Sequence, residues 1–246
     1  AASDVYKRQV KMSLAPANYD FGKSSNYSFA TTVTCANEDA RKMFVEGFGH
    51  MLNFNHEQAI ACYMKVAELD PNCAMAYWGI AYCVSSNYNW TPGLGSGHDP
   101  IQQAISLKGG CSELEQDLID ALAQRHSEEA RDAADPSVLN MGNTPELNAA
   151  FAAAMAPLYE KYKGNLDVAA IYVEALMNLK AWQLWDKNTE TGEITPADDN
   201  TLTCVKVMED AFENVEGAKE HIALCHLYCH CLELSPFPER ALPAAD

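Results

Sequence analysis

Basic residues are scarce in this chain of 246 residues: 17 lysines and arginines stand against 34 aspartates and glutamates, and the formal net charge is -17. A chain of this charge repels DNA, RNA and anionic membrane surfaces. The excess of acid instead favours a partner that is itself basic. We therefore expect neither a nucleic-acid partner nor a membrane partner.

Long apolar runs and paired cysteine spacings are also missing. The longest apolar stretch, 149–159, contains a proline and has about half of the roughly 20 residues that a membrane-spanning helix needs. The nine cysteines lack the regular spacing of a disulfide framework. The simplest interpretation is a reducing compartment, which predicts a cytoplasmic location.

Alternating runs of β-branched residues, which would indicate a sheet, are absent as well. Apolar residues recur instead at helical spacing from Asn37 onward, and a stretch rich in glycine and proline, 85–110, interrupts them. The predicted fold class is therefore all-α. We predict helices over about 37–51, 55–69, 73–82, 101–107, 113–125, 146–162, 167–179, 198–212 and 218–234.

The two ends of the chain differ from this helical region. Residues 1–36 have no sustained periodicity and are predicted to form an extended leader, the first nine of which resemble translated adaptor sequence. At the other end, a helical pattern restarts at Pro238 and stops at Asp246. We expect one domain of helical repeats over 37–246 that is part of a longer array.

Residues 40–71 match the 34-residue helix–turn–helix period of the tetratricopeptide repeat. Gly47 falls where the two helices must approach closely, and Ala59 falls where the second helix packs back onto the first. Tyr63 is the large residue of the pair, and Pro71 closes the unit. A second unit starts in phase and is then interrupted by the glycine-rich loop.

Several segments together resemble a group of large tetratricopeptide-repeat proteins of bacteria and algae. They are FNHEQAI at 54–60, DPNCAMAYWGIA at 70–81, NYN at 87–89, HLYCHCLE at 226–233 and PERAL at 238–242. The resemblance implies a right-handed α-solenoid of helix–turn–helix hairpins, one of them interrupted by a long loop. In that group the array continues past the equivalent of Asp246 into a segment that contains histidine.

Solenoids of this kind are usually scaffolds that bind partners in a concave groove. A stripe of aromatic residues falls on positions in the first helix of each repeat that usually face the groove. Aromatic residues that face a protein core show the same helical spacing, so the stripe is also consistent with burial. Exposed members would bind a protein or peptide, since aromatics dominate binding hot spots. The predicted groove residues are Phe44, Phe48, Trp78, Tyr82, Asn87 and Asn89.

A histidine cluster supports the alternative function, a metal-binding protein or metal-dependent enzyme. His226 and His230 are four residues apart and Glu233 follows three later, so one helix face could chelate a divalent transition metal. Their competing role is to bond neighbouring helices in a polar groove. The motif is not that of a zinc protease, because Leu227 replaces the catalytic glutamate.

His50 and His56 flank the turn of the first hairpin and are candidates to join this metal site, or to share a polar pocket with the 87–89 loop. His56 could equally satisfy backbone groups at its own helix terminus. The site requires that the histidines converge on one ion. The scaffold interpretation needs no cofactor, and the sequence assigns no catalytic residue.

Overall fold

The computed structural model describes residues 27–90, 93–135, 137 and 142–245. Most of these residues are helical, in agreement with the all-α prediction. The helices are α1 (Glu38–Leu52), α2 (His56–Leu69), α3 (Ala74–Val84), α4 (His98–Leu107), α5 (Glu113–Ala123), α6 (Glu128–Asp132), α7 (Pro145–Lys161), α8 (Leu166–Met177), α9 (Asp199–Asn214), α10 (Ile222–Leu232) and α11 (Leu242–Ala245).

One small hairpin departs from the all-helical prediction. Strand β1 (Trp185–Lys187) pairs antiparallel with β2 (Ile194–Pro196), with Trp185 opposite Pro196. Gly192 lies in the connecting turn at a φ of 74°, a backbone conformation that glycine adopts without strain. Strands of three residues are too short to give a recognisable alternation, which is why the sequence did not reveal them.

Side-chain caps fix where several helices begin. The Asn37 side chain accepts a hydrogen bond from the Ala40 backbone N–H at 2.8 Å, as expected for the predicted N-cap of α1. Ser112 and Glu115 form a reciprocal capping box at the start of α5. Such caps satisfy backbone donors that the first helical turn leaves unpaired. Local chemistry of this kind explains why most predicted helix starts lie within three residues of the observed ones.

Helices α1, α2 and α3 interlock around one tyrosine. Tyr63 of α2 is fully buried. A Cβ atom added to Gly47 of α1 would lie 3.1 Å from its ring, and one added to Gly79 of α3 would lie 2.5 Å from it. At Gly79 only a residue without a side chain leaves room for the ring, and at Gly47 a Cβ atom would make an unusually tight contact. The three helices thus pack closely around Tyr63.

Successive helices pack on one another for most of the chain. Each helix from α1 to α4 packs on the next, α5 packs on α7, α7 packs on α8, and α8 packs on both α9 and α10. Helix α10 returns to contact α1, where His226 Nδ1 lies 3.2 Å from the Leu52 carbonyl oxygen. Segments that are 174 residues apart in sequence therefore meet.

Residues 27–36, predicted as part of an extended leader, belong to the core instead. Tyr27, Phe29 and Val33 are each at most 5% exposed. The Phe29 ring packs against those of Phe48 and Trp78, with centroids 5.1 and 6.2 Å away. The domain boundary predicted at residue 37 is wrong for this segment, which lacks helical periodicity because it fills a space between helices. Residues 1–26 lie outside the described residues.

Carboxylates from separate helices hold the backbone of this segment. The Phe29 N–H donates to Asp167 Oδ2 of α8 at 2.7 Å, and the Thr34 N–H donates to Glu115 Oε1 of α5 at 2.7 Å. Near its end, the Ala36 N–H donates to Asp70 Oδ2 at 2.6 Å. Residues 27–36 thus connect the α2–α3 turn with α5 and α8.

Among the described residues, no helix combines the length and the apolar character needed to cross a membrane.

Candidate functional site

The four aromatic residues predicted to line a groove lie in the core. Phe44, Phe48, Trp78 and Tyr82 are at most 1% exposed. The Trp78 indole donates to the Leu118 carbonyl at 3.1 Å, so even its polar atom is used inside the protein. The prediction that these residues bind a partner is therefore corrected. Residues 27–36 and the following helices cover the stripe, which is the buried face of α1 and α3.

Asn87 and Asn89, the other predicted groove residues, lie in the loop that follows α3. Asn87 is buried, and its Oδ1 accepts hydrogen bonds from the Asn89 and Trp90 N–H groups at 2.9 and 2.8 Å. Its amide nitrogen lies 3.2 Å from His56 Nδ1. Asn89 is exposed. Asn87 therefore shapes the loop from within, and Asn89 is the member that solvent reaches.

His56 is completely enclosed at the start of α2. Its Nδ1 donates to the Cys83 carbonyl oxygen at 2.9 Å. Burial lowers the pKa of His56 to about 4, because the charged imidazolium loses its hydration. The imidazole is therefore neutral near pH 7. Of the residues considered for a polar pocket, His56 and Asn87 lie side by side.

The predicted pair on α10 shares one face, as its spacing requires. The ring centroids of His226 and His230 are 4.9 Å apart. His226 Nδ1 donates to the Leu52 carbonyl, and His230 Nδ1 lies 2.8 Å from Glu233 Oε1. Burial lowers the pKa of His226. His226 thus bonds a neighbouring helix, which is the competing role, whereas His230 bonds Glu233 at the end of its own helix.

The Phe54 ring lies close to three of the candidate histidines. Its centroid is 4.7 Å from that of His226, 6.1 Å from that of His230 and 6.2 Å from that of His56. His50 lies near Glu46 and Cys62. Within the described residues, no three of the five candidate ligands have ligand atoms that all lie within 4.8 Å of one another.

Two other groups of side chains do bring three possible metal ligands within 4.8 Å of one another in the described part of the chain. They are Glu46, His50 and Cys62, and Cys35, Asp70 and Cys73. Only His50 belongs to the predicted set. The other five were missed because each group joins residues from separate segments. Metal binding by His226, His230 and Glu233 stays a prediction.

The surface beside His230 carries an arrangement that the sequence did not reveal. Trp182 is 47% exposed and stacks on Tyr88, with centroids 5.2 Å apart and planes inclined by 28°. His230 lies 5.2 Å from Tyr88 and 5.8 Å from Trp182 between ring centroids. We refer to Tyr88, Trp182, His230 and Glu233 as the Trp182 cluster.

The backbone of Trp182 is in the left-handed region, at a φ of 63°. This conformation costs a residue with a side chain roughly 1–2 kcal/mol. Burial together with the nearby charge of Glu233 raises the pKa of Tyr88 to about 12. The stacking of the neutral Tyr88 ring on Trp182 helps to hold Trp182 in place. Tyr88 lay inside the NYN segment noted in the sequence, whereas nothing distinguished Trp182.

A second polar region lies in the interior, between α3, α5 and α8. Arg125 is 1% exposed and donates to the Ser86 carbonyl at 2.6 Å and to Asn148 Oδ1 at 2.9 Å. Its guanidinium lies over the Phe151 ring, 5.4 Å from the centroid. These contacts replace some of the hydrogen bonds that the Arg125 guanidinium would make with water if it were exposed.

Two further ionisable groups in this interior region have displaced pKa values. The Tyr82 hydroxyl donates to Glu174 Oε2 at 2.6 Å, and burial raises the pKa of the Glu174 carboxyl. Burial, with help from the charge of Arg125, lowers the pKa of His126 to about 3. Arg125, Glu174 and His126 carry no signal in the sequence that indicates burial, because isolated charged residues in helical patterns usually face solvent.

No protein-family model matches this chain, and no curated protein or solved structure matches it either. The tetratricopeptide resemblance therefore stays a prediction from the sequence.

Proposed function

We propose that the chain is part of a right-handed solenoid of tetratricopeptide-like hairpins, and that it serves as a scaffold binding a basic segment of a protein partner at the Trp182 cluster. The stepwise packing of successive helices supports the solenoid. The close approach of α1, α2 and α3 around Tyr63 also supports it, because the sequence pattern requires small residues at those crossings.

The exposure of Trp182 carries the proposal. A large aromatic side chain that is half exposed in a strained backbone conformation gains little from burial. Strain of this kind is concentrated at functional sites in proteins. Tryptophan is also among the residues most enriched in binding hot spots. The stacking on Tyr88 fixes the ring before any partner arrives, which lowers the entropy lost on binding.

Charge indicates the chemistry of the partner. The chain carries a net charge of -17, which attracts a basic segment over long range. At the cluster itself, Glu233 is exposed beside His230 and its charge acts on Tyr88. A lysine or arginine over the Trp182 ring would gain a cation–π attraction of about 0.5–2 kcal/mol, and Glu233 would neutralise its charge.

The test measures binding of a fluorescently labelled peptide of lysine and serine to the whole chain by anisotropy. We expect binding that weakens as salt is added, and about tenfold weaker binding to Trp182→Ala, since that factor corresponds to the middle of the cation–π range. A peptide with glutamate in place of lysine should not bind.

Phe237→Ala is the matched control. Phe237 is 48% exposed, close to the value for Trp182, but its ring is already covered by the Arg240 guanidinium. This variant should bind like the parent. Equal losses for the two variants, or no binding of the lysine peptide by the parent, would contradict the proposal.

A further inference from the structure

Two cysteines and an aspartate converge at the end of α2 that lies away from the Trp182 cluster. Cys35 precedes α1, whereas Asp70 and Cys73 lie in the turn between α2 and α3. The two sulfurs are 3.2 Å apart, and both lie within 4.8 Å of an Asp70 carboxylate oxygen. All the cysteines of the described residues are free thiols. Helix α2 has 14 residues and so places this group about 20 Å from the cluster.

We propose that Cys35, Asp70 and Cys73 bind a thiophilic divalent cation, Zn²⁺ in the first instance, with a water molecule as the fourth ligand. Two thiolates and one carboxylate form a donor set that suits Zn²⁺ and is poorly suited to Mg²⁺ or Ca²⁺, which prefer oxygen ligands.

The distance between the two sulfurs needs little adjustment to hold the ion. Two sulfurs that each lie about 2.3 Å from a tetrahedral Zn²⁺ are about 3.8 Å apart, so the thiols have to separate by roughly half an ångström. Cys35 lies in a non-helical segment and is only partly buried, which allows this movement and gives the ion a path from solvent.

The position of Asp70 is fixed independently of any ion. Its Oδ2 accepts the Ala36 N–H at 2.6 Å, and its Oδ1 accepts the Asn72 N–H at 3.1 Å. Each carboxylate oxygen keeps a second lone pair. Hydrogen bonds of this type orient metal ligands from the outer shell. Asp70 is thus already aimed at the two thiols.

Metal ligation requires both thiolates, so Zn²⁺ would release the thiol protons of Cys35 and Cys73 on binding.

The test titrates the reduced, untagged chain with Co²⁺, which reports thiolate ligation through a charge-transfer absorption in the near ultraviolet. We expect this band in the parent, displacement of Co²⁺ by Zn²⁺, and protection of two thiols against a thiol reagent when Zn²⁺ is bound. Cys35→Ser and Cys73→Ser should each weaken Co²⁺ binding at least tenfold, and Asp70→Asn should weaken it with both thiols intact.

Cys225→Ser is the control, because Cys225 is a partly buried thiol on α10 that belongs to neither group of converging ligands. It should bind Co²⁺ like the parent. Thermal unfolding gives a second measurement: Zn²⁺ should raise the Tm of the parent and of Cys225→Ser, but not that of Cys35→Ser, because an ion stabilises only the chain that binds it. Circular dichroism checks that each variant is folded.

The proposal is overturned if the parent shows no charge-transfer band, or if Cys35→Ser shows the band at the parent's affinity. Isolation of the chain with Cys35 and Cys73 joined in a disulfide that reforms in the presence of Zn²⁺ would also overturn it, since the two thiols would then be a redox pair.

Discussion

Two interior regions of the molecule are stabilised by different interactions. The first is the packing of α1, α2 and α3 around Tyr63, and the second is the polar region between α3, α5 and α8. In the first region, the fit of the Tyr63 ring between Gly47 and Gly79 sets how closely the helices pack. In the second region, Arg125, Glu174 and His126 are enclosed and depend on hydrogen bonds and on their protonation states. Stability should therefore be sensitive to side-chain volume in the first region and to charge and pH in the second.

The largest effect is expected from Gly79→Ala. The new Cβ would lie 2.5 Å from the Tyr63 ring, and the ring is fully buried and has little room to move. Overpacking of this kind should lower the free energy of unfolding by about 2–3 kcal/mol, which urea unfolding followed by circular dichroism would measure. Gly109→Ala is the control: a Cβ there meets nothing within 4 Å, and the change should stay within about 0.5 kcal/mol.

A smaller loss is expected when the buried charge is removed by Arg125→Met. Methionine keeps much of the side-chain volume but removes the hydrogen bonds from Arg125 to the Ser86 carbonyl and to Asn148 Oδ1. We expect a loss of about 2 kcal/mol, since hydrogen bonds to charged groups contribute roughly 1.5–3 kcal/mol. Arg131→Met, at an exposed cluster of ion pairs, should change the urea midpoint far less. Equal effects would remove the distinction between the two regions.

Acid should destabilise the polar region through His56 and His126. Both have folded-state pKa values below the usual 6.5, about 4 and about 3, so the unfolded chain binds more protons as pH falls. Their contribution is therefore complete above pH 6.5 and decreases below it, by about 1.4 kcal/mol per pH unit for each histidine. Urea unfolding at pH 7, 6 and 5 measures this slope.

His56→Gln is the comparison for the pH series. Glutamine keeps a hydrogen-bonding side chain without a titration in this range, so the slope below pH 6.5 should decrease by up to about 1.4 kcal/mol per unit. Glu174 titrates in both proteins, with a raised pKa that acts in the opposite direction, and so cancels in the difference. Identical slopes would mean that His56 is not buried in its neutral form.

The smallest effect concerns the backbone of Trp182. At a φ of 63°, the Cβ atom of alanine clashes with the backbone, whereas glycine has no Cβ atom. The free energy of unfolding of Trp182→Gly should therefore exceed that of Trp182→Ala by roughly 0.5–1 kcal/mol. Comparison of the two urea midpoints isolates this term, since both variants lack the ring. A less stable glycine variant would indicate that the left-handed conformation is imposed by the ring and disappears with it.

Local signals predicted the hairpin region well. Helices α1 and α2 were predicted within one residue of their observed starts, because the Asn37 cap, the apolar period and Asp70-Pro71 act over a few residues. The same signals could not decide which apolar face would be covered, and so Phe48 and Trp78 were assigned to a groove.

The remaining site residues were missed because distant contacts define them. Trp182 becomes informative only when Tyr88 and His230 lie beside it. Cys35 and Cys73, 38 residues apart, meet only because residues 27–36 enter the core. The interior position of Arg125 likewise depends on Ser86 and Asn148. Each case joins separate segments, and a single sequence gives no direct signal of such proximity.

The contacts of residues 27–36 affect how this chain unfolds. An array in which each repeat contacts only its neighbours can lose its terminal units one at a time. Here one segment is bonded to the α2–α3 turn, to α5 and to α8 through Asp70, Glu115 and Asp167. None of these elements can leave without releasing that segment and exposing Phe29 and Trp78 to water. We expect unfolding of these elements to be cooperative, with one transition in place of sequential fraying.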